Sequence, residues 1–130
     1  MHSIKIVTIS RNLGSTSATY GVCVAGFNPS SGTGYSELWN PGGIALDLNG
    51  SMYIADTSNY RIMKYLSGQP LGSIVAGGRG SGTTLDKIGT SYAITLDSQS
   101  NIYVSEYSNH RVTKWINTTA GTLVCIFCSK

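Results

Sequence analysis

Residues 44–65 recur without a gap at 94–115, a shift of 50 positions. Ile44-Ala45-Leu46-Asp47 matches Ile94-Thr95-Leu96-Asp97, and Tyr53-Ile54-Ala55-Asp56 matches Tyr103-Val104-Ser105-Glu106. Ser58-Asn59-Tyr60-Arg61-Ile62-Met63-Lys64-Tyr65 matches Ser108-Asn109-His110-Arg111-Val112-Thr113-Lys114-Trp115. A fixed internal period of this length marks stacked supersecondary units. A fainter echo relates Gly72-Ser73-Ile74-Val75-Ala76-Gly77 to Gly21-Val22-Cys23-Val24-Ala25-Gly26 and to Gly121-Thr122-Leu123-Val124, at shifts of 51 and 49. The one-residue differences place insertions in connecting loops, where repeat proteins tolerate them.

Each repeat holds four short strand candidates: 43–48, 51–55, 61–65 and 72–76, then 92–97, 101–105, 111–115 and 121–126. Asn49-Gly50 predicts a two-residue hairpin turn, because a type I′ turn needs positive φ at both central residues. Gln99-Ser100 takes its place in the second copy. Met52 and Ile54 point one way and Tyr53 and Ala55 the other, so each sheet is apolar on both faces and needs cover on both sides. Radially stacked sheets supply that cover. Ile44, Leu46, Met52, Ile54, Ile62, Ile94, Leu96, Ile102, Val104 and Val112 are the expected core, mostly between the two sheets. A single β-sandwich is the chief rival, but it does not require one Ser-Asn-x-Arg-x-x-Lys segment twice at a fixed interval.

The predicted fold class is therefore all-β: β-propeller blades, each a four-stranded antiparallel sheet. About two full blades plus part of a third are expected, an incomplete propeller. The expected division is a degenerate partial blade and loop over 1–40, a blade over 41–77, a Gly-rich loop over 78–90, a blade over 91–126 and a tail over 127–130.

Pro41-Gly42-Gly43-Ile44-Ala45-Leu46-Asp47, Asn49-Gly50-Ser51-Met52-Tyr53-Ile54-Ala55-Asp56 and Asn109-His110-Arg111-Val112-Thr113-Lys114-Trp115 resemble the three successive segments of an NHL repeat. Val75-Ala76-Gly77-Gly78 resembles its fourth strand. The second copy departs at its entry, where Ser91-Tyr92-Ala93 replaces Pro-x-Gly. The resemblance implies a propeller that closes with about 4–8 blades. Further blades, in cis or in trans, are then expected, with the chain either part of a longer protein or one of several assembling copies. The resemblance also implies a non-enzymatic scaffold that binds a protein partner, with single-stranded RNA as the alternative ligand. A relative with this fold, a peptide-amidating lyase, uses several cavity histidines on a metal. This chain has only His2 and His110, so that activity does not carry over.

The polar residues of the repeat have a local chemical reading. Asp56 and Glu106 end the second strand, Asn59 and Asn109 sit in the following turn, and Arg61 and Arg111 begin the third strand. Asx side chains bond nearby backbone in turns, and each arginine can reach the acid by a charge-assisted bond. Turn-and-strand architecture is the expected role of all six. Asp47 and Asp97 fall at equivalent strand ends and offer a carboxylate pair, but glycoside chemistry needs them paired across a cleft with other site groups. Gly77-Gly78-Arg79-Gly80-Ser81-Gly82 is followed by no helical period, so it reads as an inter-blade loop rather than a phosphate cradle.

Charge adds little. The net charge is +3 over 130 residues, with Lys and Arg scattered, which gives weak support to nucleic-acid binding. Arg79, Lys87, Tyr60 and Tyr107 are the candidate partner-facing residues. No apolar run approaches the ~18 residues of a membrane span, so no membrane partner is expected. Cys23, Cys125 and Cys128 are odd in number and do not make a complete disulfide framework. Cys125 and Cys128 have half-site spacing, but a closed zinc site needs four ligands, so no metal or other cofactor is expected.

Overall fold

The computed structural model describes residues 21–116 and 120–124 in full and 5–6 as backbone. It is all-β. Strands β1 (Lys5–Ile6) and β2 (Val22–Cys23) form a two-stranded antiparallel pair. The first four-stranded sheet is the meander β3 (Pro41–Leu46), β4 (Met52–Asp56), β5 (Arg61–Tyr65) and β6 (Ser73–Gly77). The second repeats it with β7 (Ser91–Leu96), β8 (Ile102–Glu106), β9 (Arg111–Trp115) and β10 (Gly121–Leu123). A single 3₁₀ turn, Thr57–Asn59 or Tyr107–Asn109, joins the second strand of each sheet to the third. Among the described residues the sheets lie side by side and do not close into a ring.

The first hairpin differs from the expected two-residue turn. Gly50 N–H donates to Asp47 O and Asp47 N–H donates to Ser51 O, both at 3.0 Å. Only Gly50 takes positive φ, at 78°. This is a three-residue loop whose last residue is left-handed, the G1-bulge form. Ser100, with φ 61°, fills that place in the second copy. The reason is Asp47: its Oδ1 accepts from the N–H groups of Asn49 and Ser51 at 3.0 and 2.8 Å. That Asx turn fixes the loop one residue wider than Asn49-Gly50 alone predicts. The first strand accordingly ends at Leu46, and Asp47 and Leu48 belong to the turn.

The core divides between the two faces of the first sheet. Tyr53, Ala55, Ile62 and Ala76 pack against Ile88, Ile102, Val104 and Trp115, sealing the sheets together. Ile94 and Leu96 add partly buried cover. On the opposite face, Met52, Ile54, Met63 and Tyr65 pack against Ala25 and Leu38. Met52 and Ile54 thus lie away from the second sheet rather than between the sheets. Both faces of the first sheet are therefore packed, the one toward the second sheet more completely.

Ile44 and Leu46 depart from the expected core. Leu46 is 61% exposed, and Ile44 is also exposed. The segment 22–27 covers only part of that face. Leu46 instead borders an open cavity of about 410 Å³ with Val22, Cys23, Phe27, Met52 and Leu66. Val112 is half-buried on the face of the second sheet that points away from the first.

The sheets come closest at β3 and β7. A Cβ on Gly43 would stand 2.8 Å from Tyr92 O and 3.0 Å from Ala93 Cα, so only glycine permits this approach. Beside it, Thr57 Oγ1 donates to Ser91 O at 2.6 Å in a buried seam.

Candidate interaction surface

The six polar repeat residues form two matching anchors. In the first sheet Arg61 Nε donates to Asp56 Oδ2 at 2.6 Å, with both side chains buried. Asn59 Nδ2 donates to the same oxygen at 2.8 Å, while Asp56 Oδ1 accepts from Trp39 N–H at 2.7 Å. The rest of the guanidinium donates to the carbonyls of Thr33, Gly34 and Glu37 at 2.8, 2.9 and 3.2 Å. Asn59 Nδ2 also donates to Gly32 O at 2.7 Å. The Asn side chain was expected to bond its own turn. It ties in a segment 27 residues earlier instead, because the left-handed turn is already closed by Tyr60 N–H donating to Thr57 O.

The second anchor copies the first. Arg111 Nε donates to Glu106 Oε2 at 3.0 Å. Asn109 Nδ2 donates to Glu106 Oε2 and Gly82 O, and Arg111 donates to the carbonyls of Thr83, Thr84 and Lys87. A charged side chain buried with its partner and fully hydrogen-bonded makes a rigid support. Each anchor therefore holds a connecting loop, 32–38 or 82–88, against the end of its sheet.

The first of these loops falls within the 1–40 stretch expected to hold a degenerate partial blade and a loop. Ser31-Gly32-Thr33 recurs as Ser81-Gly82-Thr83 at the same 50-residue shift. That signal carries the repeat back to 31, into the loop that is held against the first four-stranded sheet.

The candidate partner-facing residues lie in the loops and turns of the anchored rim, each in its own setting. Arg79 is 57% exposed and pairs with Asp86 at 3.7 Å. The Thr84 side chain, with help from Arg79, holds the Asp86 carboxyl below the usual carboxylate range. Lys87 is half-buried in the anchored loop, and its carbonyl accepts from Arg111. Tyr60 is half-buried with φ 52°, closing its turn. His110 takes the same left-handed place, φ 53°, in the second copy. Tyr107 is 73% exposed, and its ring meets that of Tyr92 edge-on with centroids 6.2 Å apart.

Asp47 and Asp97 each serve their own loop. Asp97 Oδ1 accepts from the Gln99 and Asn101 N–H groups at 2.9 Å each, as Asp47 does in its own loop. Lys64 lies 3.8 Å from Asp47 and over the Tyr53 ring, and Lys114 lies 3.9 Å from Asp97 and over the Tyr103 ring. These carboxylates are turn supports on the rim opposite the anchors. Among the described residues no cluster of three or more His, Cys, Asp or Glu is placed to hold a metal. Cys125, Cys128 and His2 lie outside the described residues.

No family model matches the chain, and no curated protein matches it.

Proposed function

We propose that this chain is a non-enzymatic interaction module built of NHL-type propeller blades, binding a protein partner through the loops at one rim. The observation that carries the reading is the duplicated anchor. Two four-stranded sheets, related by a 50-residue shift, each use a buried acid, an Asn and an Arg to hold a loop at the same rim. Rigid scaffolds that present loops are a common basis for recognition. The carboxylates support turns or anchors, which favours binding over acid–base chemistry.

A larger propeller fits the outward face of the second sheet. Tyr103, Ser105 and Val112 occupy the places of Tyr53, Ala55 and Ile62, which the second sheet covers. On this reading a further sheet, in cis or in trans, covers them. Its seam is wider than the β3–β7 seam, because Tyr92 and Ala93 stand where the first copy has Gly42 and Gly43.

The test presents the full chain to an immobilised peptide array and, separately, to a labelled oligouridylate at low and at physiological salt. Selection of a defined peptide set, weakened by loop-anchor variants, supports the proposal. Salt-dependent RNA binding with no peptide selection overturns it in favour of the RNA alternative.

A further inference from the structure

The seam between the two sheets is a template for an open cavity on the far face of the first. At the seam, Val75, Ser100, Ile102, Trp115 and Ile116 line a pocket of about 330 Å³ together with Tyr53 and Lys64. The repeat carries the first five onto Val24, Gly50, Met52, Tyr65 and Leu66. All five of these line the 410 Å³ cavity beside Leu46. Tyr53 and Lys64, from the second and third strands of the sheet across the seam, are the two without a counterpart among the residues lining the cavity. Burial follows the difference. Tyr53 is 4% exposed in one cluster with Ile102 and Trp115, and Leu96 packs against that cluster, whereas its equivalent Leu46 is 61% exposed.

The backbone shows which strand is wanting. The segment 21–26 echoes 72–77, so β2 stands in the place of a fourth strand. β1 pairs with β2 antiparallel, as β5 pairs with β6, and stands in the place of a third. In both complete sheets the third strand bonds the second on its other edge. Among the described residues β1 has β2 as its one strand partner. An unpaired edge of this kind is a template for strand addition.

The chemistry of the occupant follows from what fills the equivalent place. No charged side chain lines the cavity, and a charge brought into it would lose water without gaining a partner. The Tyr65 hydroxyl is already committed to Tyr35 O at 3.1 Å, which leaves its ring as apolar floor beside Met52. At the seam the equivalent floor meets the Tyr53 ring, and Ala55, two places on, is fully buried on the same face. Residues i and i+2 of a strand share a face. The fitting ligand is therefore an extended segment with a tyrosine and, two places on, a small residue. Main-chain bonds to a sheet edge with side chains in pockets are the basis of β-strand addition.

We propose that the cavity bordered by Leu46, Met52 and Tyr65 accepts an added β-strand from a protein partner, with the partner's tyrosine seated where Tyr53 sits at the seam. This site lies on the sheet face turned away from the second sheet and is separate from the anchored loops.

The experiment titrates the full chain with a labelled peptide of the sequence Ser51–Asp56, Ser-Met-Tyr-Ile-Ala-Asp, and with the same peptide carrying alanine for its tyrosine, both followed by anisotropy. The expected result is saturable binding of the first and at least tenfold weaker binding of the second, the scale of an aromatic hot spot. Leu46→Gln and Leu66→Gln, at exposed positions of the cavity mouth, should each weaken binding several-fold. Tyr107→Ala, at the anchored rim, should leave it unchanged, and circular dichroism checks that each variant is folded. Hydrogen exchange of the 5–6 amides should slow when the peptide is bound. No saturable binding, equal binding of the alanine peptide, binding indifferent to both leucine variants, or unchanged exchange at 5–6 overturns the inference. Its failure leaves the loop-anchor reading standing, because that reading is tested by anchor variants on the array.

Discussion

Thr113 Oγ1 donates to Glu106 Oε1 at 2.7 Å and in turn accepts from Trp115 Nε1 at 3.0 Å. The first sheet has Met63 and Asp56 at the matching places, and there the second carboxylate oxygen accepts a backbone N–H instead. The longer acid and the hydroxyl thus form a matched pair. Glu106→Asp should leave buried Thr113 without its acceptor and cost about 1–3 kcal/mol. Adding Thr113→Met recreates the first sheet's combination. A double-mutant cycle by urea denaturation should then give a coupling of about 0.5–3 kcal/mol. Strict additivity would show the two sites act independently.

Arg61 is the more demanding anchor, since it and Asp56 are both buried. Arg61→Ala should cost about 3–5 kcal/mol, the scale of leaving one partner of a buried pair uncompensated. Arg61→Lys keeps the charge but loses the planar fork that reaches Thr33, Gly34 and Glu37 together. It should therefore expose the 32–38 loop to limited proteolysis even where the sheet stays folded. A loop as resistant as in the unaltered chain would show that Arg61 does not hold it.

The strands were legible because a side-chain period of two, repeated at a fixed interval, leaves few foldings. The third strands, 61–65 and 111–115, fall where the pattern places them. The misreadings have local causes. Leu46 carries the same apolar signal as Ile54, yet its burial depends on what packs across β3, which alternation does not encode. Asn49-Gly50 alone predicts the narrower turn, and the Asp47 carboxylate, accepting from the Asn49 and Ser51 N–H groups, widens it.

The acid response follows from the turn carboxylates. Asn101, through its side-chain amide and backbone N–H, holds the Asp97 carboxyl below its ordinary value. At Asp47 partial burial opposes ionisation, but the Ser51 and Asn49 N–H groups and the Lys64 charge outweigh it and lower the pKa. A carboxylate whose folded pKa is depressed adds stability that is complete above its unfolded pKa, about 3.9, and disappears as pH falls through the lower folded value. Asp47→Asn with Asp97→Asn keeps an acceptor in each turn but removes the charge. The double variant should be less stable near neutrality, and its stability should fall less steeply below about pH 4. Denaturation midpoints followed against pH would reveal this, and parallel curves would refute it.

The β3–β7 seam gives the last test. Gly43 has no room for a Cβ, with Tyr92 O at 2.8 Å and Ala93 Cα at 3.0 Å from where it would stand. Both obstacles are backbone, so they yield only if the sheets separate. Gly43→Ala should therefore destabilise by about 1–3 kcal/mol through overpacking, although alanine is the better strand residue by conformational entropy. Ala93 holds the equivalent place in the second sheet. Ala93→Gly relieves no comparable contact and should cost only about 0.5–1 kcal/mol, the entropic penalty of glycine in a strand. The opposite signs of the two side-chain changes should give the same direction of effect, with Gly43→Ala the larger. Equal midpoint shifts in thermal denaturation, or a stabilising Gly43→Ala, would mean that the sheets are not packed at this distance.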